Sequence, residues 1–210
     1  MLSGVIVGYD PGGNGVHGVA ELQVKDGRAA ALSTRTLETS EDVIAAIERL
    51  PSIAALGVDT LTCWSTGTSG WRPADRWLRQ RYTAVQPSVM TPNGLFGSMG
   101  LNGMGVLIAA RRRFSDVSIT ETHPKVLYWQ LSGKKYEYET FKTGMDAVLA
   151  GVLGISVAPG TEHEWDAAIS AFAALEGMAG RWSHDLHQLP IIKGERLITP
   201  CGRKHYFWPE

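Results

Sequence analysis

The sequence has little cysteine, no long apolar run and no excess of charge of either sign. Its two cysteines, Cys63 and Cys201, are too few for the disulfide framework of a small secreted domain and point to a reducing compartment. No apolar stretch approaches the ~18 residues that a membrane span requires, and no basic segment followed by an apolar run opens the chain. A cytoplasmic protein off the membrane is the expectation. With 20 basic against 21 acidic side chains the formal charge is −1, so only local patches can attract nucleic acid. What is present is 44% hydrophobic and 20% charged residues, enough apolar material for a real core, which excludes disorder and collagen-like chains. The 210 residues suit one domain, 1–210, against ~100–200 residues per domain, with an irregular tail from about 183.

Val5-Ile6-Val7 is a β-branched run of the kind covered on both faces, and it stops at Gly8-Tyr9-Asp10-Pro11. Val19 to Val24 alternates, with Ala20, Leu22 and Val24 on one face and Glu21 and Gln23 on the other. Asp26-Gly27 turns the chain and Ala30 to Leu37 returns, which makes an antiparallel three-strand meander. Thr39-Ser40-Glu41-Asp42 supplies a hydroxyl cap and first-turn carboxylates for a helix whose stripe is Val43, Ile44, Ile47 and Leu50. Ile53 to Val58 is then a strand reached through a helix, parallel to the first by a right-handed crossover. A fifth strand is expected at Val117 to Glu121, outside it. Helices are expected over 73–82, 100–114, 140–153 and 164–182, and from Pro124 onward. Residues 61–73 read as a long surface loop, 83–99 as a functional or mobile loop, and 191–210 have no clear home. The expected class is α/β, a mixed five-stranded sheet flanked by helices.

Three acids close three of these strands: Asp10, Asp59 and Glu121. If the strands are parallel neighbours, their side chains converge at the edge where open α/β sheets bind ligands. Asp166, early in the last helix, is a fourth; Ser170, Ala173 and Gly177 follow on its face as a small-residue stripe that allows close approach to the sheet. Convergent carboxylates are costly together unless a cation neutralises them, and hard oxygen donors suit Mg²⁺ or Mn²⁺. Two such ions ~3.5–4 Å apart are the clamp used for in-line phosphoryl displacement. The plainer reading of each acid is a turn former, a helix-start charge or, for Glu121, a partner to an arginine.

These segments resemble the ribonuclease H-like superfamily and, within it, domain-of-unknown-function family 429, whose members are predicted nucleases. The resemblance rests on Gly8-Tyr9-Asp10, Gly57-Val58-Asp59-Thr60-Leu61, Arg72-Pro73-Ala74-Asp75-Arg76-Trp77-Leu78-Arg79, Glu121-Thr122-His123-Pro124 and Glu164-Trp165-Asp166-Ala167-Ala168. It spans residue 3 to about 180, and departs from the pattern after Asp59, where Thr60-Leu61-Thr62 stands in place of an early proline. It implies a metal-dependent nuclease acting on DNA or RNA, with Asp10, Asp59, Glu121 and Asp166 as ligands and catalytic residues.

Other side chains offer less. Arg76 and Arg79 suit a flanking phosphate or, equally, a solvated helix face. Arg111-Arg112-Arg113 reads as a helix-end charge cluster. His163 lies one turn before Asp166 and is a candidate outer ligand or proton shuttle. His123 reads as a helix-entry residue, His184 and His187 as parts of a polar loop, and Cys63 as a buried thiol. Trp64, Trp71 and Trp77 suit either base stacking or cover for the sheet edge. Two rival classes share the fold. One is a nucleotide-binding phosphotransferase or ATPase-like protein, suggested by Asp10-Pro11-Gly12-Gly13-Asn14-Gly15 but lacking a second such loop. The other is a noncatalytic binding module with degenerate acids.

Overall fold

The computed structural model describes residues 1–13, 15–91 and 97–210. The meander forms from β1 (Gly4–Asp10), β2 (His17–Lys25) and β3 (Arg28–Leu37), paired antiparallel. The β2–β3 turn holds Asp26 and Gly27 at φ 51° and 76°, the left-handed pair that matches hairpin twist. Helix α1 (Ser40–Glu48) begins at Thr39, whose hydroxyl accepts from the Asp42 backbone N–H. It returns the chain to β4 (Ala55–Val58), parallel to β1. After β5 (Trp64–Ser65), α2 (Pro73–Arg81) and α3 (Gly97–Arg113), β6 (Ser118–Glu121) lies parallel to β4. The order β3-β2-β1-β4-β6 is the one the crossover argument requires. Helices α4 (Pro124–Ser132), α5 (Tyr138–Leu153) and α6 (Glu162–Met178) follow.

Three layers result. Helices α1 and α3 cover one face over Val7, Tyr9, Leu56, Val58 and Ile119, while α2, α4, α5 and α6 cover the other over Ile6, Ala20, Leu22 and Ala55. The alternation of successive strand residues between the two lists is the period-2 rule at work. No described helix is long and apolar enough to cross a membrane.

Helix α6 sets the geometry of the site. Every residue from Glu164 to Glu176 is buried, so the helix is covered all round. Its backbone lies directly on the sheet. A Cβ at Gly18, Gly8 or Gly57 would come within 1.9, 1.8 and 1.9 Å of the carbonyl oxygens of His163, Ala167 and Ser170. The room for close approach is therefore on the strands, not in the helical stripe the sequence suggested. Gly177, part of that stripe, instead receives the Phe207 ring.

Two expectations for the irregular parts need correction. The 61–73 segment is a surface loop only in part: Leu61, Thr62, Cys63 and Arg72 are buried, while Thr66, Thr68 and Ser69 are exposed. The tail is not homeless either. Short strands β7 (His184–Asp185) and β9 (Phe207–Trp208) pair with each other, and β8 (Leu197–Ile198) pairs with β5. His205 bonds both sides of Thr120 along the free edge of β6, through Glu121 N–H to its carbonyl (2.8 Å) and its own N–H to Ile119 O (2.8 Å). Trp208 is buried and donates to Tyr82 Oη at 2.7 Å. The tail thus caps an edge that would otherwise expose unpaired backbone groups. Part of the 83–99 segment, residues 92–96, lies outside the described residues, and so does Asn14 of the glycine-rich loop.

Candidate active site

The parallel run of β1 and β4 brings Asp10 and Asp59 to one edge of the sheet. The crossing of α6 adds Asp166 from its second turn, and the seat of His163 over Gly18, the register partner of Asp10, puts its imidazole beside Asp10. His163 Nδ1 lies 2.5 Å from Asp10 Oδ2. Tyr136 Oη donates to Asp166 Oδ1 at 2.7 Å. Among the described residues no side chain donates to Asp59, which is only partly buried.

Asp10 and Asp166 are 2% and 6% exposed, and desolvation pushes the carboxyls of Asp10, Asp59 and Asp166 above the ordinary carboxylate range. The charges also act on each other: Asp10 raises Asp59, and both raise Asp166. Lys125, at the exposed start of α4, lowers all three, yet it forms no ion pair among the described residues. The Asp10 contact raises the His163 imidazole, so its cation is favoured there. Among the described residues no three His, Cys, Asp or Glu side chains close around a ready-made ion cage. The donor chemistry nonetheless fits a hard divalent cation: three carboxylates, mutually repelling and without a fixed guanidinium.

Glu121 reaches the same edge but is engaged otherwise. Its two oxygens accept from Arg72 Nη1 and Nη2 at 2.9 and 2.5 Å, and Oε2 also accepts from Thr62 N–H and Oγ1 at 2.9 and 2.7 Å. Arg72 binds Asp75 through Nε and Nη2 at 2.9 and 2.7 Å, so one buried guanidinium serves two carboxylates. His187 Nε2 lies 3.5 Å from Glu121 and 3.0 Å from Thr62 Oγ1. Although burial alone would raise the Glu121 carboxyl, Arg72 and His187 hold it far below the ordinary range. Sequence reasoning placed weight on Arg76 and Arg79 and missed Arg72. The signal was available: Arg72 precedes Pro73 at a helix start, and Asp75 sits where it accepts the Arg72 backbone N–H, at 3.0 Å.

Arg76 and Arg79 do not face the acids. They line a separate surface groove with Trp71, and Arg79 stacks on Trp71 while donating to the carbonyls of Gln86 and Val89, both at 2.8 Å. Arg111 likewise donates to the carbonyls of Val117, Ser115, Cys201 and Arg203. Trp64 packs beside the α3 core and Trp77 against Tyr82 and His184, so none of the three tryptophans lines the space beside the acids. That space is a cavity of about 270 Å³ between Asp59, Lys125, His123 and the loop through Val89. Burial pushes the His123 imidazole down to about 4, and its Nε2 donates to Ser88 O at 3.1 Å.

No protein-family model matches the sequence, and no curated protein matches it; the narrower resemblance to family 429 therefore gains no support. Solved structures similar to the protein include two at 20% identity, each covering 84% of this chain. They are Thermus thermophilus RuvC, covered over 97% of its length with a TM-score of 0.46, and T. thermophilus RuvC in complex with a Holliday junction substrate, covered over 96% with a TM-score of 0.50. The likeness is one of fold. With the strand order, the two parallel crossovers and the helix laid over the acidic edge, it establishes that this chain has the ribonuclease H-like α/β fold.

Proposed function

We propose that the protein is a divalent-cation-dependent nuclease that hydrolyses phosphodiester bonds in DNA or RNA, with Asp10, Asp59 and Asp166 holding the cation. The carrying observation is the arrangement of those three carboxylates. They come from two strand ends and one helix, they are desolvated, and among the described residues none is ion-paired to a lysine or arginine. Glu121 is left out of the ligand set because Arg72 and Thr62 already occupy both its oxygens.

Mg²⁺ or Mn²⁺, singly or as a pair, would polarise the phosphoryl group and make a bound water acidic. The chain's own groups have defined tasks beside it. His163, fixed by Asp10 at Nδ1 and favoured as its cation, holds a proton at Nε2 for the departing oxygen. Tyr136 fixes the rotamer of Asp166 through its hydroxyl. Lys125 supplies an ammonium to a non-bridging phosphate oxygen, an interaction that strengthens as charge develops. The near-neutral charge of the chain favours a structured or short substrate over tight nonspecific duplex binding.

The test is incubation of labelled single-stranded, duplex and branched DNA and RNA with Mn²⁺, beside an Asp10→Asn variant. Cleavage by the wild type that disappears in the variant is expected. Equal cleavage by both, or none of any substrate, overturns the reading.

A further inference from the structure

The cavity beside Asp59 is not used by the chemistry proposed above. Its lining includes the apolar Leu61, Val89, Met90 and Met99, the Arg72–Glu121–Asp75 network, and Asp59 and Lys125. At about 270 Å³ it has room for about nine water volumes of ~30 Å³ each, the scale of one flat heterocycle and below the ~300–1,000 Å³ of drug-sized pockets. Thr60 and His123 reach the cavity with other parts of their side chains, since Thr60 Oγ1 is packed against Gly103 of α3 and His123 Nδ1 is sealed from solvent. The two methionines add polarisable thioethers, which make favourable contacts with aromatic faces.

Building on the nuclease reading, we propose that this cavity receives one unpaired nucleobase of the substrate strand, next to the phosphate held between Lys125 and the acids. The base lies against Leu61, Val89 and the thioethers of Met90 and Met99. Lys125 suits the adjoining phosphate because it also borders a second groove, with Lys135 and Tyr136, along which the strand continues. Hence the substrate class is nucleic acid with an unpaired base at the cleavage position, where extrusion costs least.

The experiment measures binding without cleavage, using the full chain carrying Asp10→Asn with Mg²⁺. One probe is a fluorescein-labelled DNA duplex with a single unpaired thymine, and the other is the same duplex with an abasic residue there. The thymine duplex is expected to bind about tenfold tighter, the middle of the range for a base stacked on a protein surface. With 5-iodouracil at that position, irradiation should give an adduct on Met90, Met99 or Tyr206. Met90→Ala with Met99→Ala should erase most of the tenfold difference; Met90 is 53% exposed and Met99 partly so, and the truncations leave the core intact. Equal affinity for the two duplexes, or an adduct outside the cavity, overturns the base pocket alone, while wild-type cleavage still upholds the nuclease. Failure to bind either duplex, together with no wild-type cleavage, overturns both.

Discussion

Two sets of carboxylates stand near one edge of the sheet and are treated in opposite ways. Glu121 and Asp75 share the Arg72 guanidinium, which hydrogen-bonds both, and the His187 imidazole lies 3.5 Å from Glu121. Asp10, Asp59 and Asp166 have an imidazole and a phenol hydroxyl for company, neither of which cancels three charges. The contrast separates structure from chemistry. A carboxylate neutralised by the chain holds the chain together, and one left uncompensated is available to an ion that comes and goes. It also divides four acids that sequence position alone treats as equivalents.

The largest effect expected is on the compensated side. Arg72→Leu strands Glu121 and Asp75 in the interior, and breaking a buried pair from one partner costs about 3–5 kcal/mol. For a chain of this size that lowers the melting temperature by about 10 °C. The loss should be the same with and without Mg²⁺, as followed by circular dichroism. A loss that divalent ions rescue would place Arg72 in the cation site and dissolve the contrast.

Next in size is the response to the ion. Mg²⁺ or Mn²⁺ at about a hundredfold over its dissociation constant should stabilise the wild type by about 2.7 kcal/mol. Asp59→Asn and Asp166→Asn should abolish most of that gain. If the ions leave the melting temperature unmoved, the noncatalytic reading takes over.

The two sets also predict opposite slopes of stability against pH. For Asp10, Asp59 and Asp166 the folded values are raised, so without metal the native state binds more protons than the unfolded one. Their penalty is absent below about pH 4 and grows as pH rises toward the raised values. For Glu121 the folded value is lowered; its contribution is complete above about pH 4.3 and fades as pH falls below it. In EDTA, chemical denaturation as pH rises above about 5 should therefore show stability falling by about 1.4 kcal/mol per unit for each proton involved. Asp59→Asn should flatten that fall.

How much of this was legible beforehand depends on whether the feature is written locally. The meander and both crossovers follow from runs such as Val5-Ile6-Val7 and Asp26-Gly27, because strand alternation and turn chemistry are short-range properties. Gly8, Gly18 and Gly57 could not be read as a seat for α6, since they are far apart in sequence and meet only through strand register. The tail was illegible for a similar reason. Its pairs are two residues long, and its anchors, Trp208 on Tyr82 and Phe207 on Gly177, are long-range contacts with no periodic trace. Arg72 fell between: its helix-start position was readable, its second partner Glu121 was not.

The smallest effect expected is also the sharpest probe of the uncompensated set. Tyr136 and Tyr128 lie edge-on to each other, with ring centroids 6.1 Å apart, and both pack on Trp165 with centroids 5.6 Å away. Their hydroxyls differ. Tyr136 Oη donates to Asp166, while Tyr128 Oη is buried with no partner among the described residues. Tyr128→Phe removes an unsatisfied hydroxyl and should leave Mg²⁺ affinity unchanged and stability equal or higher. Tyr136→Phe removes a donor that favours ionised Asp166, so the carboxyl titrates higher still and competes with the cation through its proton. Removing such a supporting contact costs about 10–100-fold in metal affinity, while the fold loses only about 1 kcal/mol. A Mg²⁺ titration of the melting temperature reads both at once. If the two phenylalanine variants shift that titration equally, the hydroxyl on Asp166 belongs to packing, and the uncompensated set shrinks to Asp10 and Asp59.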